Sequence, residues 1–248
     1  HRQRISTSGN ISNSFSMNPL QLLLNQFPPD FSNIHTVTAG QMYVALQLTN
    51  GNIGVCARLD YEFPPDILKV RAINLSEPSH RILLIAYYNA LLNPRAAYSS
   101  QGDIFSEIDF SKTGPIVMVG NFRPLLKKFD DASIDVAVFD LKQDDARLKP
   151  YSEIYSYLAD ATDVILTSTS LVNDTFSEMI SRIGAGTKVY MLGPSTILHK
   201  TMFQFNPVIS LSGMIFPAQT SEVIKVIAGN GGTPEFSKYA CKVSIHRK

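Results

Sequence analysis

The stretch PIVMVGNFRP, residues 115–124, decides the fold. Pro115 to Val119 is an unbroken apolar run without polar alternation, the pattern of a strand buried on both faces. It stops at Gly120-Asn121, and Pro124 then opens Leu125-Leu126-Lys127-Lys128-Phe129 as a short helix. Buried strand, glycine turn and helix together make one unit of a parallel sheet. Toward the C-terminus the unit repeats. Val136-Ala137-Val138-Phe139 ends at Asp140, and residues 151–159 read as the next helix. Val164-Ile165-Leu166 passes into Thr167-Ser168-Thr169-Ser170, ahead of a helix over 174–183. Lys188-Val189-Tyr190-Met191-Leu192 leads into Gly193-Pro194-Ser195-Thr196. Val208-Ile209-Ser210-Leu211 precedes a last helix over 222–228, capped by Ser221. Residues 113–248 are therefore expected to form a Rossmann-like α/β domain with a mostly parallel sheet and right-handed crossovers.

The pattern upstream is different. Residues 18–27 carry four leucines behind Pro19 and predict a short helix. Two β runs, 41–48 and 53–58, flank Thr49-Asn50-Gly51-Asn52, whose Asn-Gly pair marks a tight hairpin. A helix over 79–92 has few polar positions, so it packs on more than one side. Strands first and a helix after predict an α+β domain over residues 17–112, with the boundary near 111–115. Residues 1–16, rich in Ser, Asn and Arg, read as a disordered arm or a cloning remnant before Met17.

Composition narrows the function classes. The chain has 248 residues, 44% of them hydrophobic, ample for a buried core. A formal net charge of +1 gives no electrostatic case for nucleic acid or a membrane surface as partner. No run approaches the roughly 20 apolar residues of a membrane-spanning helix. Two cysteines, Cys56 and Cys241, do not make a disulfide framework, so a reduced, cytoplasmic setting is expected. His35, His80, His199 and His246 are scattered without chelating spacing, and no permanently bound metal is expected. Homo-oligomer formation stays open.

Ligands of open parallel sheets bind beyond the carboxyl ends of the strands. There the sequence places Gly120 and Asn121, Asp140, Thr167 and Thr169, and Gly193 to Thr196. Gly120 permits close backbone approach, the free N–H groups of the helix start after it are expected to meet an anion, and Asp140, about 20 residues on, stands where a ribose diol is held in nucleotide-binding sheets. The alternative is a tight turn and a loop-capping Asp; the full glycine fingerprint is missing. Gly193, Pro194, Ser195 and Thr196 are expected to open a helix whose free N–H groups meet an anion. Asn173 serves as a helix cap or presents its amide to a heterocycle. Gly184-Ala185-Gly186-Thr187-Lys188 follows a helix and precedes a strand, so it is a helix C-terminal turn and no phosphate loop.

Val119-Gly120-Asn121-Phe122, the run Thr167 to Thr175, and Gly193-Pro194-Ser195-Thr196 resemble the putative heavy-metal chelation family, a domain of unknown function. Asn89-Ala90 and Gly102-Asp103-Ile104-Phe105 resemble its upstream segments, and the likeness runs from Ala86 to Gly232 in consistent order. The resemblance implies an enolase-N-terminal-like domain followed by a Rossmann-like one, with a ligand cleft between them. It adds Asn89, Gly102 and Phe122 as ligand-binding candidates. Asp103 is the candidate acid, base or ligand anchor reaching across the cleft, against the plainer reading of an Asx turn. Asn121 stands where the family's pattern has His before the Phe. The implied functions are condensation or hydrolysis during synthesis of pterin-, flavin- or chelator-like molecules, or handling of a metal chelate. A non-catalytic binding protein and an S-adenosylmethionine-dependent methyltransferase-like enzyme are the alternatives. The expected partner is a small-molecule ligand, free or as a metal chelate, and the identity of any cofactor stays unknown.

Overall fold

Burial on both faces, read from residues 115–119, is what the structure shows for β5 (Ile116–Val119), where all four residues are buried. The structure, a computed structural model, describes residues 18–98, 100–102, 104–217 and 221–248. Further strands of the same sheet are β6 (Ala137–Phe139), β7 (Asp163–Thr167), β8 (Lys188–Leu192), β9 (Val208–Ile215), β10 (Cys241–His246) and the two-residue β4 (Ser100–Gln101). Their spatial order is β4-β10-β9-β8-β7-β5-β6. The pairs from β9 through β6 are parallel, while β10 runs antiparallel to both β9 and β4.

The period-2 alternation of side chains sorts this sheet's two faces. Ile116 and Met118 meet Leu125, Leu126 and Phe129 of α4 (Arg123–Asp131), together with Ile104 of α3 (Ile104–Glu107). Val117 and Val119 turn the other way. They join Ile154 and Leu158 of α5 (Ile154–Asp160) and Phe176 and Met179 of α6 (Phe176–Arg182). The parallel core is thus covered by helices on both faces, as a parallel sheet requires.

The second sheet is the antiparallel meander β1 (Ile34–Ala39), β2 (Tyr43–Leu48) and β3 (Ile53–Ala57). Gly51, with φ +88°, turns the β2–β3 hairpin. Helix α2 (Pro78–Leu92) has every residue from Arg81 to Ala90 buried, because it is wedged between the two sheets. One hydrophobic cluster runs from Val44 and Leu46 through Ile82 and Leu83 to Val164 and Val189. On the outer face of the meander, α7 (Ser221–Ala228) brings Val223 and Ile227 against Ala45 and Val55. A short α8 (Thr233–Phe236) adds Phe236 to the same layer. Among the described residues no helix is long and apolar enough to cross a membrane.

Helix α1 (Pro19–Gln26) is tied to the turn after His199. His199 Nδ1 accepts from Thr201 N–H, Thr201 Oγ1 donates to Gln26 Oε1 at 2.6 Å, and the Phe27 ring meets the imidazole edge-on at 5.0 Å. Burial holds this imidazole below its ordinary value of 6.5, and the charge of Lys200 adds to the effect. A depressed histidine binds fewer protons folded than unfolded, so its stabilisation is present above that ordinary value and is lost as pH falls through the folded one. The melting temperature of wild type is therefore expected to fall more steeply below about pH 6 than that of His199→Asn, whose side chain can cap but cannot titrate. Equal pH slopes would remove His199 from the linkage.

Candidate functional site

The sheet's winding reverses beside β5. From β5 the chain crosses through α4 to β6, then returns through α5, on the opposite face, to β7 on the other side of β5. The crevice outside the carboxyl ends at such a reversal is where open α/β sheets take ligands. Gly120 and Thr167 line it, with Asp140 after β6 on one flank and Gly193 after β8 on the other.

Both glycines are required by their backbone. Gly120 has φ +109° and Gly193 φ +123°, a region that side chains rarely tolerate. The Phe122 ring spans them. Its Cε2 is 3.1 Å from where a Cβ on Gly120 would stand, and its Cε1 is 3.9 Å from the corresponding point on Gly193. Among the described residues nothing else comes within 4 Å of that point, so the space above Gly193 is open. The hydroxyls of Thr167 and Thr169 lie 2.9 Å apart beside this ring.

Hydrogen bonding in the Gly120 turn corrects one expectation. Gly120 N–H donates to Phe139 O at 2.7 Å, Asn121 N–H to Asp140 Oδ2 at 2.8 Å, and Phe122 N–H to Gly120 O. These donors are occupied, so the expected free backbone cradle for an anion is not formed here; the Asp140 carboxylate itself fills it. Asp140 Oδ1 holds Lys142 N–H at 2.9 Å. Each carboxylate oxygen keeps a further lone pair for a ligand hydroxyl. Asn121 Oδ1 is buried and has no hydrogen-bond partner among the described residues.

The segment Gly193 to Thr196 also differs from expectation, because it opens no helix. Thr196 N–H and Oγ1 both donate to Gly193 O, closing a turn, and the chain runs on with Ile197 and Leu198 buried. Pro194 marks a turn as readily as a first helical residue. Ser195 is buried against the meander and Thr196 against the loop after β7. Ser195 Oγ accepts from Ala57 N–H at 3.0 Å, and Thr196 Oγ1 lies 2.6 Å from Ser168 Oγ. Asn89, 2% exposed, donates to Val55 O and reaches Pro194 O at 3.4 Å. These groups fasten the β8 loop to α2 and β3, and the Oδ1 of Asn89 has no partner.

Sequence reasoning missed Asn93, which completes this fastening. Its Nδ2 donates to Thr196 O at 2.9 Å and its Oδ1 accepts from Leu198 N–H at 2.8 Å. The signal was present: Asn93, the C-cap of α2, follows Asn89 at i, i+4 spacing. Between the layers Cys56 is fully buried, and burial pushes its thiol up, keeping it protonated.

Other candidates fall outside the cluster. Asn173 Oδ1 accepts from Thr175 Oγ1 at 2.7 Å and from Thr175 N–H at 3.3 Å, an Asx turn ahead of α6; the N-cap is Thr175, so Asn173 does not cap that helix. Gly102, with φ +150°, follows β4, five strand steps or about 24 Å from β5 along the same edge. Asp103 lies outside the described residues. A cleft of about 630 Å³ opens at the opposite, amino-terminal edge of β5 and β6, lined by Pro115, Ile116, Asp135, Val136, Lys149 and Asp160. The paired glycines and the hydroxyls of Thr167 and Thr169 are at the carboxyl-end crevice instead. Among the described residues no group of three or more His, Cys, Asp or Glu side chains is placed to hold a metal ion.

Comparison with known proteins follows this geometry. Two solved structures share the fold. A protein of unknown function from Desulfitobacterium hafniense matches with a TM-score of 0.72 and 18% identity, over 92% of this chain and 96% of its own. Another, from Pyrococcus horikoshii, matches with a TM-score of 0.75 and 16% identity, over 94% and 99%. Both are assigned to the family whose description is putative heavy-metal chelation. At these identities the likeness is one of fold. No curated protein matches. The sequence profile of that same family covers residues 103–246, more than half the chain, and the chain belongs to it.

Proposed function

We propose that the chain binds a nucleotide-sized heterocyclic or chelator-like small molecule in the crevice at the carboxyl ends of β5 and β7, and that any metal arrives with this ligand. The observation carrying the reading is the pair Gly120 and Gly193, both with positive φ, flanking Thr167 where the sheet's winding reverses. The Phe122 ring offers a flat apolar surface, Thr167 and Thr169 offer hydroxyls, and Asp140 offers lone pairs suited to a diol. Condensation or hydrolysis would need a general acid or base. Asp140 is the carboxylate at the crevice, and both its oxygens already hold backbone N–H groups, so the geometry supports binding ahead of catalysis. The family's description is compatible with a metal chelate as the bound species.

The test is native mass spectrometry of freshly purified protein for a retained small molecule, with Gly193→Ala beside wild type. The added methyl enters open space next to Phe122, so occupancy by that molecule is expected to drop about tenfold. The left-handed backbone adds a stability cost of about 1–2 kcal/mol. Unchanged occupancy in a folded Gly193→Ala protein would place the ligand elsewhere.

A further inference from the structure

The residues that follow β3 run over the candidate crevice. Ala57 N–H is held by Ser195 Oγ in the loop after β8, and Asp60 Oδ2 lies 2.7 Å from Lys142 Nζ in the loop after β6. In the sheet β8 and β6 are separated by β7 and β5. Residues 57–60 are therefore anchored on either side of the two strand ends that carry Thr167 and Gly120. Three strand spacings amount to about 14 Å. Residues 58–61 close a tight turn, with Tyr61 N–H on Arg58 O at 3.0 Å, and the Asp60 and Lys142 side chains make up the rest of that distance.

Two further observations set this segment apart. Leu59 and Asp60 have φ of 53° and 65°, consecutive left-handed residues with no glycine between them. They are the central pair of a turn closed by Tyr61 N–H on Arg58 O, and the Arg58 guanidinium donates to Tyr61 O as well. The anchor on the β6 side is also joined to the crevice. Asp140 holds Lys142 N–H through one carboxylate oxygen and Asn121 N–H, in the Gly120 turn, through the other.

We propose that residues 57–60 form a strap across the crevice and that the Asp60–Lys142 ion pair is its clasp. Both partners are largely exposed, so the pair is weak and is screened by salt, as a clasp that opens under ambient conditions must be. That the strap guards a ligand rests on the reading above; that it opens does not.

Cys56 reports the opening. Its thiol, buried at the root of the strap, donates to Ala57 O. The other thiol, Cys241, is exposed and is removed as Cys241→Ser. In that background Cys56 is alkylated with iodoacetamide, and melting temperatures are recorded alongside. Asp60→Lys and Lys142→Glu are each expected to raise the alkylation rate about threefold or more, at unchanged melting temperature. Asp60→Lys combined with Lys142→Asp is expected to restore the slow rate. Added salt should accelerate the parent protein and leave Asp60→Ala unaffected. Single charge reversals that alkylate at the parent rate, or a swapped pair that stays fast, overturn the clasp. No ligand enters this assay, so its failure leaves the binding reading to the Gly193→Ala test, and the reverse holds as well.

Discussion

Gly54→Ala is expected to abolish the folded state or to lower its stability by about 4 kcal/mol or more. A Cβ on Gly54 would stand 2.1 Å from Ala86 O, 2.3 Å from Ala90 N and 2.9 Å from Asn89 C. All three are backbone atoms of α2, so no side-chain rotation relieves the contact. The helix cannot retreat, because its far side packs on the large sheet through the same hydrophobic cluster. Nor can β3 withdraw, since it is bonded to β2 along Val44 to Gln47, with the α7 layer behind. Against a typical stability of about 5–15 kcal/mol the loss is a large share of the total. Gly186→Ala is the internal control. Its φ is +85°, yet nothing lies within 4 Å of the new atom, so only about 1–2 kcal/mol of backbone strain is expected. Urea unfolding of the two variants gives the comparison. A Gly54→Ala protein as stable as Gly186→Ala would show that α2 and β3 are not in the close contact described.

The parallel strands were legible because each shows as an apolar run closed by a glycine, an aspartate or a hydroxyl residue. β8 occupies the expected residues 188–192, and β5 differs only by beginning at Ile116. Three strands carried no comparable signal. β4 has only two residues. β10 exists through its pairing with β9 and β4, contacts that no local pattern announces. β1 is only half-buried along its length, leaving no apolar run to read. The candidate site divides along the same line. Gly120, Asp140, Thr167 and Gly193 could be placed on one edge because each ends a strand. The commitment of Asp140 to Asn121 N–H, the burial of Ser195 and Thr196, and the reach of Asp60 to Lys142 are contacts between distant segments. They follow from how α2 and the meander dock, which strand-by-strand reasoning does not reach.

Gly120→Ala is expected to cost about 3 kcal/mol, the sum of left-handed strain and overpacking. For a chain of this size that lowers the melting temperature by roughly 6–12 °C. The new methyl would stand 2.9 Å from Thr167 Cβ and 3.1 Å from Phe122 Cε2. These two contacts differ in kind. The Phe122 ring can swing aside, whereas Thr167 Cβ is fixed by the pairing of β7 with β8. Adding Phe122→Ala should therefore recover only part of the loss. Gly193→Ala shares the positive φ but meets only the edge of Phe122, at 3.9 Å, so it should lose less stability while still losing ligand. The pair separates the roles of the two glycines: Gly120 is where the chain crosses against its neighbouring strand, and Gly193 is where open space is kept. Melting curves for both variants, with and without Phe122→Ala, decide between them. If Gly120→Ala melted no lower than Gly193→Ala, the Gly120 turn would have freedom that a fixed crevice wall does not allow.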